Sequence, residues 1–229
     1  MDHSYVSCEL YAQWKINKRL IFTTKYYIMI LGGENMIKTT AMILDELESY
    51  GNPVTKLSRL VKNGQYFPIV KGLYETDCKV PGYLLAGSIY GPSYISFDYA
   101  LSYYGLIPEA VHTVTCASFE KKKRKVYKTS FGTFTYQDVP SAVFPLSLRV
   151  NTEGDYFYRI ATPEKAICDK LYSLSPVANF RELESLLFDD LRVDEGEFDK
   201  LNPQEINALS EHYHSTNIRK LASFIRRRR

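Results

Sequence analysis

The spacing of apolar residues predicts a first helix shortly after Met36. Thr39 or Thr40 can cap this helix, which then runs to about Tyr50. Its apolar stripe comprises Ile43, Leu44 and Leu47, and its acidic residues, Asp45, Glu46 and Glu48, face the other way. Because an acidic surface repels phosphate, we expect this helix to support the fold and not to contact nucleic acid.

Residues 51–75 predict a second helix followed by a hairpin. Pro53 suits the first turn of the helix over residues 54–63, whose apolar side comprises Val54, Leu57, Leu60 and Val61. Two short strands, 66–70 and 73–75, flank a Lys71-Gly72 turn, and Pro68 restricts the first strand to a sheet edge. A basic helix followed by a hairpin with lysine at its tip is typical of a winged helix-turn-helix head.

From residue 78 the alternation of apolar and polar residues predicts a sheet with one solvent-exposed face. A two-residue period recurs over residues 111–118, 126–131 and 134–139, which predicts an antiparallel meander with a basic turn. Residues 156–160 are predicted to form another strand. Short helices precede the meander, one opened by Pro81 and one capped by Ser96.

A further helix begins sharply at Thr162-Pro163-Glu164, which supplies a cap, a first-turn proline and a first-turn acid. It runs to about residue 174, with its inward positions at Ala166, Ile167 and Leu171. Lys165 and Asp169 are four residues apart, so we expect them to pair on the helix surface. The remainder is predicted helical, over residues 180–187 and about 203–227.

These patterns together predict an α+β protein. It comprises an N-terminal winged-helix-like head and a mixed α/β body with an antiparallel sheet and C-terminal helices. We divide the chain into an extension (residues 1–35), a DNA-binding head (36–77) and a body (78–229). A winged head usually has three helices before its wing, and only two are predicted after Met36. Either residues 1–35 supply the third helix, or the head is reduced.

Residues 1–35 admit two interpretations, because they show no clear helical or strand period. They end in Gly32-Gly33-Glu34-Asn35, whose codons can contain a purine-rich ribosome-binding sequence just before the Met36 codon. In the first interpretation translation starts at Met36 and these residues are an upstream reading-frame extension. In the second they are an irregular N-terminal arm. The intact mass of protein expressed from its own upstream DNA distinguishes the two.

Charge and cysteine content restrict the class of protein. The net charge is only +3, and the basic residues concentrate at Lys121–Lys125 and Arg226–Arg229. The four cysteines form no CxxC pair, which excludes the usual zinc spacing and suits a reducing cytoplasm. The longest apolar run, residues 20–31, is too short and too polar for a membrane span. The high count of 19 tyrosines indicates half-buried sheet and contact surfaces.

The candidate DNA contacts follow from the predicted head. The exposed side of the second helix presents Lys56, Arg59, Lys62 and Asn63 to a DNA groove, and the hairpin brings Tyr66 and Lys71 to the phosphate backbone. The basic turn is an auxiliary patch for phosphate or for a partner: Lys121, Lys122, Lys123, Arg124 and Lys125. Two copies on an inverted repeat are the geometric expectation.

Three stretches resemble AbiEi-family antitoxins of type IV toxin–antitoxin systems. They are KGLYETD at 71–77, PSYISFDYALSYYGLIPE at 92–109 and YRIATPEKAICDKLY at 158–172, and the resemblance covers about residues 36–175. It implies a winged-helix domain that represses its own operon. It also implies a body that counteracts a nucleotidyltransferase-type toxin, with no need for a stable complex between the two proteins.

Two other functions compete with this one, a nuclease and a protein-interaction module. A nuclease centre would need acids converging with a lysine from separate elements, whereas Glu164, Lys165 and Asp169 share two helical turns. The sequence contains no glycine-rich phosphate loop, GxSxG or HExxH motif, so we expect neither an enzyme nor a cofactor. The remaining alternative is a protein-interaction module that modulates a partner without binding DNA.

Overall fold

The structure is a computed structural model that describes residues 37–228. The predicted extension over residues 1–35 and the final residue, Arg229, lie outside the described residues. Within residues 37–228 the fold is mixed α/β, with two sheets that we call the head sheet and the body sheet. The α+β class predicted from the sequence is therefore confirmed.

The head begins with a strand that the sequence pattern did not predict. Its elements are β1 (Lys38–Thr39), α1 (Thr40–Glu46), α2 (Pro53–Lys62), β2 (Phe67–Val70) and β3 (Leu73–Glu75). The side chain of Thr39 caps α1 by accepting from the Met42 N–H, and that of Asn52 caps α2 by accepting from the Thr55 N–H. The predicted helices and hairpin are confirmed, although α1 ends earlier than expected.

The head sheet is antiparallel, in the order β1-β3-β2. Pro68 accordingly lies on an edge strand, as predicted. Ile43, Leu47 and Leu57 form a small core between the two helices and this sheet. The predicted inward position of Val54 is wrong, because this core does not reach the first turn of α2 and Val54 is 62% exposed.

The body sheet is mixed and has the order β6-β7-β5-β4-β9-β8 within the described residues. Its strands are β4 (Ser93–Ile95), β5 (Val114–Ser118), β6 (Lys125–Thr129), β7 (Gly132–Asp138), β8 (Leu148–Glu153) and β9 (Tyr156–Ala161). The predicted meander is wrong, because β7 lies between β5 and β6 and runs parallel to β5. The almost fully buried β5 needs a central position, whereas the lysine-bearing β6 is suited to an edge.

Helices cover the body sheet and continue into a C-terminal layer. They are α3 (Gly82–Ile89), α4 (Phe97–Tyr103), α5 (Pro163–Tyr172), α6 (Phe180–Ser185), α7 (Glu195–Phe198), α8 (Pro203–Tyr213) and α9 (Thr216–Arg228), with a π-helical turn at Leu186–Asp190. The single long helix predicted after Pro203 is wrong. His214 adopts a left-handed conformation that ends α8, and α9 then packs back against it.

The start of α5 agrees with its sequence signals. Thr162 caps the helix through its side-chain oxygen, Pro163 occupies the first turn, and the predicted inward residues, Ala166, Ile167 and Leu171, are fully buried. Ser96 stands at the N-terminus of α4 as predicted, but its hydroxyl makes no capping hydrogen bond. The Ser96 hydroxyl instead donates a hydrogen bond to Asp169 inside the body.

The head packs directly on the body. Ile69 of β2 is 4% exposed and belongs to the apolar core of the body, and Ile37 and Leu73 pack against that same core. The Ser130 hydroxyl, in the β6–β7 turn, donates to the carbonyl oxygen of Pro68. One face of the head sheet therefore rests on the body while Tyr66 and Tyr74 pack on the head's own core. Among the described residues, none of the helices has the length and apolar character of a membrane span.

Candidate nucleic-acid interface

The outer face of α2 is basic and open to solvent. Arg59, Lys62 and Asn63 are exposed, and Lys56 is half-exposed with its Nζ atom 4.6 Å from the ring centre of Tyr50. The helix contains no acidic residue. Within residues 37–228, none of its three cations forms an ion pair, so their charge is free to meet an anionic ligand.

The tip of the hairpin is held against the start of α1. Gly72 has a positive φ of 84°, which glycine adopts without a steric penalty, and its carbonyl oxygen accepts from the Thr40 N–H at 3.0 Å. Lys71 at this tip is exposed. The lysine is thus presented from an anchored turn and not from a loose loop.

Tyr66, which was predicted to contact the DNA phosphate backbone, already makes a hydrogen bond within the protein. Its hydroxyl donates to Glu46 Oε2 at 3.2 Å, and Lys38 donates to both oxygens of the same carboxylate at 2.8 and 2.9 Å. Burial raises the pKa of the Tyr66 hydroxyl, with Glu46 adding to the shift. A phosphate contacting Tyr66 would compete with Glu46. The sequence pattern gave no signal for the role of Lys38.

In the basic turn a hydrogen bond holds the backbone, while most of the side chains are exposed. The Lys122 N–H donates to Asp138 Oδ2 at 2.5 Å, while the Ser118 hydroxyl donates to Oδ1 of the same carboxylate at 2.6 Å. Lys121 lies with its Nζ atom 5.1 Å from the ring centre of Tyr90. The side chains of Lys122, Lys123, Arg124 and Lys125 are exposed.

Strand β6, which follows the basic turn, lies beside the β2–β3 hairpin of the head. The basic residues of the turn nevertheless lie apart from those of the head. Strand β6 starts at Lys125 and ends near Ser130, whose side chain contacts Pro68 of the hairpin. At about 3.3 Å per residue, the five steps between Lys125 and Ser130 span roughly 17 Å. The head and the basic turn therefore do not form one compact patch.

The pairing of Lys165 and Asp169 on the surface of α5 is wrong, because both side chains have no exposed area at all. Their charged atoms lie 3.1 Å apart in the centre of the body. The Tyr213 hydroxyl of α8 accepts from Lys165 Nζ at 2.7 Å and donates to Asp169 Oδ1 at 2.5 Å. The second carboxylate oxygen accepts from the hydroxyls of Tyr94, at 2.9 Å, and Ser96, at 2.7 Å.

This buried cluster of Tyr94, Ser96, Lys165, Asp169 and Tyr213 joins β4, the start of α4, α5 and α8. Burial raises the pKa of the Tyr94 and Tyr213 hydroxyls well above the ordinary value, and the adjacent Asp169 charge adds to both shifts. Both phenols therefore remain neutral donors to the carboxylate at physiological pH. The cluster satisfies buried charge by pairing and hydrogen bonding, which is the condition under which charge is tolerated in a core.

The two most specific stretches of the family resemblance meet in this cluster. Tyr94 and Ser96 belong to the stretch at 92–109, and Lys165 and Asp169 to that at 158–172. Tyr213 lies outside both and was missed by sequence reasoning. The residues between the two charges, Ala166, Ile167 and Cys168, are all apolar, which signals that α5 is buried but does not point to Tyr213.

The C-terminal arginine run differs from the basic turn in being tied to the protein. Arg228 forms ion pairs with Asp199 and Glu195, and the Arg227 guanidinium lies 4.4 Å from the ring centre of Phe180.

Among residues 37–228, no three histidine, cysteine or acidic side chains are grouped as a metal site would need. Searches found no family model that matches the chain and no matching curated protein.

Proposed function

We propose that the protein is a transcriptional autorepressor and antitoxin of the AbiEi type. In this proposal the head binds operator DNA through α2 and the hairpin. The body counteracts a nucleotidyltransferase-type toxin. No step requires an enzymatic activity of this chain, a cofactor or a membrane, and the protein acts in the cytoplasm.

The observation that carries the proposal is the pairing of β1 with β3. Lys38 stands opposite Tyr74 and Thr39 opposite Leu73, so a short strand precedes the two helices and joins the hairpin that follows them. The resulting order, strand, helix, helix and two-stranded hairpin, supports a winged helix-turn-helix unit, because it matches the order of such a unit from its first strand onward. In such a unit the second of these helices enters the major groove and the wing contacts phosphate.

The charge distribution supports the same orientation on DNA. Three acidic residues of the head, Asp45, Glu46 and Glu48, are exposed on and just after α1, whereas α2 carries only basic charge. Lys71 at the anchored tip adds a cation at the position expected for a backbone contact. DNA approaching the outer face of α2 would meet the cations Lys56, Arg59 and Lys62.

A gel shift tests this assignment on the DNA upstream of the protein's own coding region. We expect a specific complex with the wild-type chain and its loss with Lys56→Ala combined with Arg59→Ala. A matched control is Arg181→Ala combined with Arg219→Ala, which removes the same charge from exposed residues of the C-terminal layer. Loss of binding by the control variant to the same degree would reject α2 as the specific contact.

The antitoxin role needs its own test, because it is proposed from the sequence resemblance. We expect coexpression of the full chain to relieve growth arrest by the neighbouring toxin. The Lys56→Ala and Arg59→Ala variant should still relieve it when both genes are expressed from an unrelated promoter. Failure of the wild-type chain to rescue would reject the antitoxin role and leave the DNA-binding role untouched.

A second candidate is a protein-interaction module without DNA binding, and the junction of head and body favours it. Ile69 ties the head sheet into the body core, so the head is a fixed part of one larger surface. Exposed apolar side chains elsewhere on the body, Tyr103, Val150 and Phe157, could contact a partner. Folded protein that gives no shift at low salt would favour this candidate.

A further inference from the structure

The two edges of the body sheet differ in the charge that they present. Strand β6 carries Lys125 and Lys128 and follows the basic turn, so a second copy of the same edge would meet like charge. Strand β8 carries one charge of each sign, Arg149 and Glu153. Because like charges placed opposite each other disfavour pairing, β6 is protected against self-association and β8 is not.

Strand β8 is a regular edge that lacks a proline, a bulge and a run of like charge. All six of its residues pair with β9 in unbroken register, from Leu148 opposite Ala161 to Glu153 opposite Tyr156. The strand contains neither a proline nor a bulge, and within the described residues its other side has no neighbouring strand. Natural sheets usually block such an edge with a proline, a bulge or like charges.

We infer that β8 is the interface through which two copies of this chain associate. The proposed pairing is antiparallel and centred on Asn151, so that the body sheets of two copies join across a two-fold axis. Such an interface is isologous, with the same strand contributed by both copies.

The centre at Asn151 follows from charge complementarity. In that register Arg149 of each copy lies opposite Glu153 of the other, and this pair occurs twice. A register shifted by one residue places Arg149 opposite Thr152 or Gly154 instead, which removes both charge pairs. Side chains directly opposite in an antiparallel pair have Cβ atoms about 5 Å apart, within reach of an ion pair between these long side chains.

Apolar exposure on the strands supports the same surface. Val150 is 65% exposed and Phe157 is 53% exposed, and the register of β8 with β9 puts them on the same face of the sheet. In the proposed dimer Val150 lies opposite Thr152 of the second copy. The joined sheet would thus continue this apolar face across the two-fold axis, and Thr152 of each copy would cover part of Val150 of the other.

This inference does not depend on DNA binding, although it complements that proposal. A two-fold dimer would present two heads, as an inverted repeat requires. The test therefore uses the full chain without DNA, so that failure of dimerisation and failure of operator binding are separate results.

The decisive experiment measures self-association by sedimentation equilibrium over a concentration series. We expect the wild-type chain to reach twice the monomer mass and Glu153→Arg to weaken association by about tenfold or more, because two favourable pairs become two like-charge pairs. The exchange Arg149→Glu with Glu153→Arg should restore association. Glu184→Arg, which makes the same charge change at an exposed residue of α6, should leave it unchanged.

The charge exchange also separates association from folding. Glu153 accepts a hydrogen bond from the Tyr83 hydroxyl at 2.6 Å, and Arg149 lies over the ring of Tyr104. Both contacts are lost in the doubly exchanged variant, so restored association can come only from the contact between copies. A wild-type chain that stays monomeric, or a Glu153→Arg variant that dimerises normally, would overturn the inference.

A cysteine at the two-fold axis reports the register directly. In a chain with Cys8 and Cys78 replaced by serine, Asn151→Cys should form a disulfide-linked dimer on mild oxidation. Opposite Cα atoms lie about 4.5–5.5 Å apart, within the range of a disulfide. Val126→Cys on the exposed part of β6 is the control and should remain monomeric. Crosslinking through residue 126 and not through residue 151 would contradict the proposed interface.

Discussion

Lys165 and Asp169 form an ion pair of 3.1 Å in the centre of the body, one turn apart on the same helix. Such a spacing normally stabilises an exposed helix surface by only a few tenths of a kcal/mol. Here both side chains are fully buried, and Tyr94, Ser96 and Tyr213 complete the hydrogen bonding of the carboxylate. The cluster of five side chains therefore holds together the strand β4 and the helices α4, α5 and α8.

Removing the carboxylate of this pair should be severely destabilising. Asp169→Ala leaves the Lys165 ammonium buried without a counter-charge, and we expect a loss of about 3–5 kcal/mol in the free energy of unfolding, measured with urea. Asp98→Ala is the control, because Asp98 makes its ion pair with Lys170 near the surface. That change should cost no more than about 1 kcal/mol. Equal losses in the two variants would contradict the account of the cluster.

Removing the cation should cost less than removing the anion. In Lys165→Met the Asp169 carboxylate keeps its three hydroxyl donors, whereas in Asp169→Ala the ammonium keeps only the Tyr213 oxygen. We expect the Lys165→Met variant to retain more of the wild-type free energy of unfolding in the same urea titration. The reverse order would show that the hydroxyl groups do not sustain the carboxylate.

The contrast between the head and this cluster shows what local sequence signals can predict. Thr39, Pro53 and Gly72 act through their own backbone and a few neighbouring residues, so the helices and the hairpin were predicted. The burial of Lys165 depends on Tyr213, 48 residues away, and no periodic pattern on α5 contains that information. The sequence evidence consequently favoured an ordinary surface pair.

Sheet order was beyond prediction for a similar reason. The period of two identified β5, β6 and β7 as strands but did not reveal that β7 separates β5 from β6. Strand β1 has only two residues, too few to show a period, and exists because it pairs with β3. Val54 fits a helical stripe by spacing but lies beyond the small head core that would bury it.

The junction of head and body should contribute strongly to stability. Ile69→Ala removes a side chain that is 4% exposed and lies in the body core, and we expect a loss of about 2–5 kcal/mol in the free energy of unfolding. Val54→Ala on the exposed turn of α2 is the control and should change it by less than about 0.5 kcal/mol. A small effect of Ile69→Ala would mean that head and body pack independently.

Stability should fall at alkaline pH because several tyrosine pKa values are raised. Burial is the main cause for Tyr94 and Tyr213, and a hydrogen bond with Tyr158 raises the pKa of Tyr103 to about 12. Folded phenols then hold protons that the unfolded chain releases above about pH 10. Stability is fully present below that pH and is lost as pH rises through the folded values.

The measurement for this prediction is urea unfolding at a series of pH values from about 8 to about 11. Each fully buried phenol should add a slope of up to about 1.4 kcal/mol per pH unit once the unfolded chain ionises. Ultraviolet absorbance of phenolate should rise together with loss of the folded state. A constant free energy of unfolding up to about pH 11 would contradict the assignment of neutral buried phenols.

Binding to the upstream operator DNA, measured by fluorescence anisotropy over a salt series, tests the central claim most directly. We expect the wild-type chain to bind sequence-specifically and more weakly as salt increases. The Lys56→Ala and Arg59→Ala variant should bind weakly and with a smaller salt slope, because two cations that displace counterions from the DNA are removed. The Arg181→Ala and Arg219→Ala control should match the wild type. Folded wild-type protein that shows no binding at low salt, or equal slopes in all three proteins, would contradict a DNA-binding head.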